Sequence, residues 1–195
     1  MDEGDEYLVD RIRKGDKEAF RKLARGYFPL IQSFVRKMNV LQEDSEDIIQ
    51  EVFLRLWKFN RSWNPRKASL STWLHSIAHH LCVDLYRKNS KTSAQADEKK
   101  DPLLVSDQAS NPAERVIEVE TGRQVQQALN NLPERQRTAI VLCHYQSFSN
   151  KDAALIMGIS VDALESLLAR GRHKLRDSLS ELITVSGSIQ NQSDR

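Results

Sequence analysis

Residues Leu132–Arg176 read LPERQRTAIVLCHYQSFSNKDAALIMGISVDALESLLARGRHKLR, and the helix punctuation in that stretch is local enough to interpret directly. Pro133 opens a helix at a first-turn position that tolerates a missing N–H. Ser149 is placed to cap a second, short helix that runs apolar at Ala153, Ala154, Ile156 and Met157. Gly158-Ile159-Ser160 then supplies a left-handed turn, a buried apolar residue and another cap. Val161, Leu164, Leu168 and Leu175 give the last helix one apolar stripe, leaving Ser166, Arg170, Arg172, His173, Lys174 and Arg176 largely off it. Two helices at a sharp angle, the second exposed and basic, form the DNA-reading helix-turn-helix. An ordinary helical hairpin with a solvated basic face has the same pattern.

The whole chain is 195 residues long, enough for one or two small domains with real cores. Its formal net charge is only +2, so no global field draws it to DNA. The charge is segregated, however. From Arg55 to Gln95 there are eight Lys/Arg (Arg55, Lys58, Arg61, Arg66, Lys67, Arg87, Lys88, Lys91) and a single acid, Asp84. From Glu43 to Glu51 there are five acids (Glu43, Asp44, Glu46, Asp47, Glu51) and no base. A basic segment beside an acidic helix suits one surface for phosphates and another for a basic protein partner. Two solvated helix faces would give the same charge pattern.

With 7 Gly and 5 Pro the chain reads as helix nearly throughout. Periodicity and caps predict helices near Glu6–Lys14, Lys17–Met38 (perturbed at Pro29), Glu43–Phe59, Ser69–Lys88, Pro112–Asn131, Pro133–Tyr145, Asn150–Met157 and Ser160–Ile183. Between Asn89 and Asn111 the composition turns polar and loses any sustained apolar period, as expected of a linker. Leu103-Leu104-Val105 is its one apolar island and a candidate docking point. The resulting expectation is an all-α chain: a first domain over 1–90, a linker over 91–111, a second domain with the helix-turn-helix over 112–183, and a disordered tail over 184–195. The N-terminus MDEGDEYLVDRIRKGD is acidic and broken by Gly4 and Gly15, unlike a signal peptide, and no apolar run approaches the roughly 20 residues of a membrane span. Cys82 and Cys143 sit in apolar helical stretches and read as buried thiols, so the expected compartment is the cytoplasm.

The first domain holds a second distinctive block. In DSEDIIQEVFLRLW, Asp44–Trp57, the residues Ile48, Val52 and Leu56 share one face, and Asp44, Asp47 and Glu51 share another with Arg55. A loop rich in Asn, Arg and Trp follows, then STWLHSIAHHLCVDLYRK, where Trp73, Ile77, Leu81 and Leu85 recur at near-helical spacing. His75, His79, His80, Arg87 and Lys88 lie toward other faces of that helix.

These blocks, in this order with this linker, resemble the extracytoplasmic-function (group IV) sigma factors of the sigma-70 family, over Tyr7 to about Leu182. The resemblance implies a non-enzymatic initiation factor without cofactor or metal. Its first domain would bind core RNA polymerase and the −10 element, and its second the −35 element. A linker of this length leaves no room for the large middle domain of housekeeping sigma factors. Carried onto this chain, Asp47, Gln50, Glu51 and Arg55 match the face that docks on the clamp coiled coil of the polymerase's largest catalytic subunit. A carboxylate and amide face can pair with Arg-rich helices and set register. The loop Asn60–Ala68 resembles the one that captures a base flipped from the non-template strand, with Phe59, Trp63 and Asn64 as pocket groups and Trp63 expected to be exposed. His79, His80, Arg87 and Lys88 follow as −10 contacts. Ser149, Asn150, Lys151, Asp162, Glu165, Ser166, Ala169, Arg170 and Lys174 follow as −35 contacts, with Ser166 and Arg170 leading. The resemblance also implies control by an anti-sigma factor.

The chain departs from the family pattern in places. His79-His80 stand where many members carry Arg-Asn, and the recognition helix bears Asp162, Glu165 and Leu167 where many are more basic. A glutamate can accept from cytosine N4 in the major groove; pairing with a neighbouring cation would place it there equally well. His75, His79 and Cys82, at i, i+4 and i+7, share a face in a geometry zinc can use, but no fourth ligand is evident. Cys143-His144 cannot act as a nucleophile–base pair, because helical neighbours point about 100° apart. A helix-turn-helix regulator that binds DNA unaided as a dimer, and a helical adaptor without DNA-dependent activity, remain as alternatives.

Overall fold

The computed structural model describes residues 4–92 and 122–190. The Leu103-Leu104-Val105 island and the expected domain start at 112 lie outside the described residues. The first domain contains α1 (Asp5–Arg13), α2 (Lys17–Lys37), α3 (Gln42–Phe59), a 3-10 turn at Asn60–Ser62 and α4 (Leu70–Thr92). The second contains α5 (122–130), α6 (Glu134–Ile140), a π-helical turn at Val141–Tyr145, α7 (Asn150–Met157) and α8 (Val161–Gln190). No strand occurs among the described residues.

Side-chain caps set several boundaries. Asp16 opens α2 by accepting from the Glu18 and Ala19 amides at 2.9 and 3.2 Å. The same carboxylate takes Arg11 of α1 at 2.6 Å, so one side chain both starts a helix and ties it to its neighbour. Ser69 opens α4 by accepting from the Thr72 amide at 3.0 Å. α2 runs unbroken through Pro29, on its exposed side, where water can satisfy the carbonyl the ring leaves unpaired. The helix expected over Pro133–Tyr145 changes to π geometry at Val141, and the Gln146 amide closes the wide turn on the Val141 carbonyl at 3.0 Å.

The expected tail is corrected in part: α8 continues to Gln190 instead of ending near 183. Elongating an existing helix adds one bond per residue fixed, and this stretch holds no proline to stop it.

Phe34 and Ile31 of α2, Met38 just after it, Val52 and Leu56 of α3, and Leu70, Leu74 and Ala78 of α4 fill the first core. Leu129, Ile140, Leu142, Ile156 and Leu164 fill the second. The two cores run into one another: α4 packs along α7, and the end of α2 against the π turn.

Candidate polymerase and promoter interfaces

The acidic face of α3 is built as its spacing predicts. Asp47 and Gln50 are exposed, while Glu51 and Arg55 are half-buried and pair at 2.7 Å one turn apart. Leu54 lies on the same face, seven residues after Asp47, and is exposed. Beside it Phe28 of α2 is also exposed and stacks on Phe53 at 6.2 Å. The surface is therefore acidic with an apolar inlay. Phe28 carries no local signal of this, because only the packing of α2 on α3 brings it to that face.

The loop after α3 differs from expectation. Trp63 is not exposed: it is 5 % accessible, and its indole N–H donates to the Ala68 carbonyl at 3.0 Å. A large ring next to an apolar core gains more by burial than by waiting in solvent, and the indole N–H finds a partner there. Trp63 thus pins the loop from beneath. Asn60 is buried and donates to the Trp57 carbonyl at 2.9 Å. Arg13 of α1 donates to the Asn60 and Trp63 carbonyls at 3.2 and 3.4 Å. On the outer side Asn64 is exposed and its side-chain oxygen takes the Arg66 amide at 3.0 Å. Phe59, at the end of α3, is 58 % exposed, the most accessible large apolar side chain among the described residues.

On α4 the four expected −10 residues separate. His80, Arg87 and Lys88 are exposed. His79 is 8 % accessible and lies under the second domain, so in this conformation it cannot touch DNA. Burial pushes its imidazole down to about 4, with His80 and Arg135 adding to the shift. No group of three or more His, Cys, Asp and Glu side chains suited to a metal ion occurs among the described residues, and Cys82 is wholly buried. Cys143 is only half-buried.

The helix-turn-helix follows its sequence closely. Ser149 accepts from the Asp152 amide at 3.1 Å, and Ser160 from the Ala163 amide at 3.2 Å. Gly158 has φ +63°, and the Gly158 and Ile159 amides close α7 on the Leu155 and Ala154 carbonyls. Gly171 of α8 faces Ile140 of α6, where a Cβ would come within 3.1 Å of the isoleucine side chain. Leu164, Leu167 and Leu168 are buried, so Leu167 belongs to the core and not to the reading face. Asn150, Lys151, Asp162, Glu165, Ser166, Ala169, Arg170 and Lys174 are exposed, as expected, and so is the cap residue Ser149. Ser166 donates to the Asp162 carbonyl at 3.0 Å, and the exposed Arg170 donates through Nε to the Ser166 carbonyl at 3.1 Å. Asn150 donates to Glu165 at 3.2 Å.

Comparison with known proteins agrees with this architecture. The family model Sigma-70 region 2 matches residues 23–92, and Sigma-70, region 4 matches 122–175. The ECF RNA polymerase sigma factor SigM of Mycobacterium tuberculosis is 31 % identical over 170 residues, covering 87 % of this chain and 82 % of the relative. The chain belongs to the extracytoplasmic-function sigma factor family. SigW of Bacillus subtilis is 28 % identical, covering 89 % of this chain and 96 % of the relative. SigE of Mycolicibacterium smegmatis, also 28 % identical, is longer, and the chain spans 65 % of it. Among solved structures, CnrH in complex with the cytosolic domain of CnrY superposes at TM-score 0.67 with 24 % identity, covering 92 % and 99 % of the two chains. RpoE with the anti-sigma factor NepR from Bartonella quintana gives 0.69 with 22 % identity, covering 83 % and 96 %. Sigma factors are initiation factors and not themselves enzymes. No helix among the described residues is long and apolar enough to cross a membrane.

Proposed function

We propose that this chain binds core RNA polymerase in the cytoplasm and directs it to promoters with a −35 and a −10 element. The observation that carries the reading is the joining, in one chain, of an acidic helix face with a helix-turn-helix whose outer side is polar and free. Asp47, Gln50, Glu51 and Arg55, with Leu54 and Phe28 beside them, form the polymerase face. Opposite charges there would set orientation, and the two apolar side chains would add area removed from water.

The −35 contacts are Ser166, Arg170, Glu165, Asp162, Ala169 and Lys174 from α8, with Ser149, Asn150 and Lys151 at the start of α7. Phe59 and Asn64 form the outer wall of a base pocket whose floor is held by Trp63. A base turned out of the stack costs a few kcal/mol, which stacking on an exposed ring can offset. His80, Arg87 and Lys88 line the −10 path, and His79 joins them once uncovered. An anti-sigma partner fits the reading, since CnrH and RpoE, which share the fold, were captured with CnrY and with NepR.

Run-off transcription with purified core polymerase is the test. Promoter-specific transcripts that require both proteins support the proposal. Tight duplex binding by the chain alone, with no effect on core polymerase, would mark it instead as an independent regulator.

A further inference from the structure

Asn150, in the first turn of α7, is bonded on both sides. Its Nδ2 donates to Glu165 Oε1 of α8 at 3.2 Å, and its Oδ1 accepts from the Cys143 thiol, with sulfur and oxygen 3.8 Å apart. Side chains thus join the π turn at Val141–Tyr145 to α7 and α7 to α8. The backbone brings the first two together. The Phe148 amide returns to the Leu142 carbonyl at 3.0 Å, and Ser147, at φ +55°, turns the chain so that α7 begins beside Cys143.

The chemistry of the three groups fixes which way the amide faces. A carboxylate can only accept, so Asn150 must turn its NH2 toward Glu165 and its oxygen toward Cys143. With the amide reversed, two oxygens would face one another between α7 and α8, and the NH2 would meet a sulfur that accepts only weakly. The thiol in turn must be protonated to donate. Burial pushes the Cys143 thiol up from its usual value, outweighing the opposite pull of the Arg172 guanidinium, so the S–H persists at neutral pH. The same shift makes Cys143 a poor nucleophile.

Cys143, Asn150 and Glu165 line one cleft of about 550 Å³ with Phe148, Leu168 and Arg172. Water in that cleft serves either end of an amide and does not choose between them, whereas a thiol held by the π turn does. An S–H···O bond is weak, so what it supplies is direction more than stability.

We propose that Cys143 is a positioning residue for −35 recognition: through Asn150 it sets the direction of the Glu165 carboxylate, and with it the base preferred opposite Glu165. The base preference rests on the proposed function; the chain of bonds from Cys143 to Glu165 does not.

Two measurements on the full chain keep these apart. The first needs no DNA. In isotope-labelled protein the side-chain amide of Asn150 is identified by its loss in Asn150→Ser. The hydrogen it gives to Glu165 should resonate downfield of an exposed asparagine amide. Cys143→Val, which keeps the volume and removes the donor, should return that resonance toward the exposed value, as Glu165→Ala does. Cys143→Ser, which keeps a donor, should hold it part-way. A resonance unmoved by Cys143→Val overturns the proposal.

The second is transcription by the holoenzyme from a promoter library randomised across the −35 element. Glu165→Ala should relax one position. Cys143→Val should lower the preference at that same position about twofold to fivefold, as loss of a weak hydrogen bond would, and leave the other positions unchanged. Cys143→Ser should restore part of it, and Cys143→Val should add nothing in a Glu165→Ala background, where the group it positions is gone. A merely structural thiol would instead depress every promoter alike. A library indifferent to Glu165→Ala, equal preference for Cys143→Val and parent, or a loss spread over all positions overturns the proposal.

Methyl methanethiosulfonate repeats both measurements without a substitution, should Cys143→Val not fold. The half-buried Cys143 gives up its proton to solvent and attacks the reagent, forming a methyl disulfide and releasing methanesulfinate. Cys82, wholly buried and pushed up to about 12, is spared. The cleft has room for the added group, and the capped chain should behave as Cys143→Val does. If the parent gives no promoter-specific transcript at all, the proposed function fails, and the Asn150 resonance alone decides whether Cys143 positions Glu165.

Discussion

Asn150 and Glu165 are joined by a 3.2 Å hydrogen bond that ties the first turn of α7 to the outer face of α8. A carboxylate on a DNA-facing surface would be repelled by phosphates unless held and neutralised in place. The side-chain amide of Asn150 holds the Glu165 carboxylate in place by donating to it. Glu165 is thus held at a fixed angle to α8, and on the proposed function it would stand as an acceptor toward the base opposite. Glu165→Ala should leave thermal stability within about 0.5 kcal/mol, as for an exposed site. It should relax preference at one −35 position, read by transcription from a promoter library randomised there. Unchanged preference would limit the carboxylate to stabilising the start of α7.

Arg170 offers a contrast on the same face. Its Nε is committed to the Ser166 carbonyl, which fixes the direction of the fork. Arg170→Ala should cost on the order of 1–3 kcal/mol in holoenzyme binding and loosen a single position if the fork reads a guanine. A uniform loss across sequences with a shallower salt dependence would identify a phosphate contact instead.

The polymerase face yields a charge-reversal test. Asp47→Arg with Glu51→Arg keeps helix propensity, removes the Glu51–Arg55 pair and places an arginine one turn from Arg55, a repulsion worth a few tenths of a kcal/mol. Circular dichroism should show a folded chain that no longer co-purifies with core polymerase. Leu54→Ala, which leaves the charge intact, should weaken that capture without abolishing it. Undiminished capture of the double variant would remove the face from the interaction.

Trp63 and Phe59, both expected as pocket groups, are placed differently: Trp63 is buried beneath the loop and Phe59 is exposed. Trp63→Ala empties a buried site and should cost about 3–5 kcal/mol of stability, visible as a lowered Tm. Phe59→Ala with Asn64→Ala should leave stability nearly unchanged, because both side chains are exposed. Permanganate reactivity of the −10 thymines should nevertheless fall on a closed promoter and recover on one pre-opened by mismatches, where the unstacking cost is already met. Equal reactivity of variant and parent on the closed template would assign base capture elsewhere.

Gly171 fixes how closely α6 and α8 approach. An added Cβ would stand 3.1 Å from the Ile140 side chain, so Gly171→Ala trades a helix-propensity gain of about 1 kcal/mol against overpacking of about 1–3 kcal/mol. A small net loss of Tm is expected, and in an Ile140→Ala background, where the close Cγ1 is gone, Gly171→Ala should no longer cost stability. A stabilised single variant would show that the two helices have slack.

What could be read from the chain beforehand was whatever is encoded within a turn or two. Ser149, Gly158 and Ser160 punctuate the helix-turn-helix through bonds spanning three to five residues, and each stands where its type requires. The acidic face of α3 is likewise a matter of spacing alone. Trp63 and His79 were legible only as residue types. Whether a tryptophan rests on a core or in solvent depends on Arg13, some fifty positions away, and on a loop closing over it. Whether His79 is open to solvent depends on the packing of the second domain on α4, far away in sequence. The π turn at Val141 also escaped the pattern, since π and α geometry place apolar residues on nearly the same stripe for so short a run.

The Arg13 fork, which holds the Asn60 and Trp63 carbonyls, makes α1 a thermodynamic partner of the loop it never covers. If, as proposed, that loop closes on an unstacked base, whatever is gained is shared, by linkage, with the order of the first helix. Strand separation should therefore be felt as slower amide exchange in α1, at the opposite end of the domain's chain. Conversely, a ligand or substitution that frays α1 would raise the threshold for melting a promoter without touching a nucleotide. On that reading the first helix would set the stiffness of a spring whose far end is the DNA.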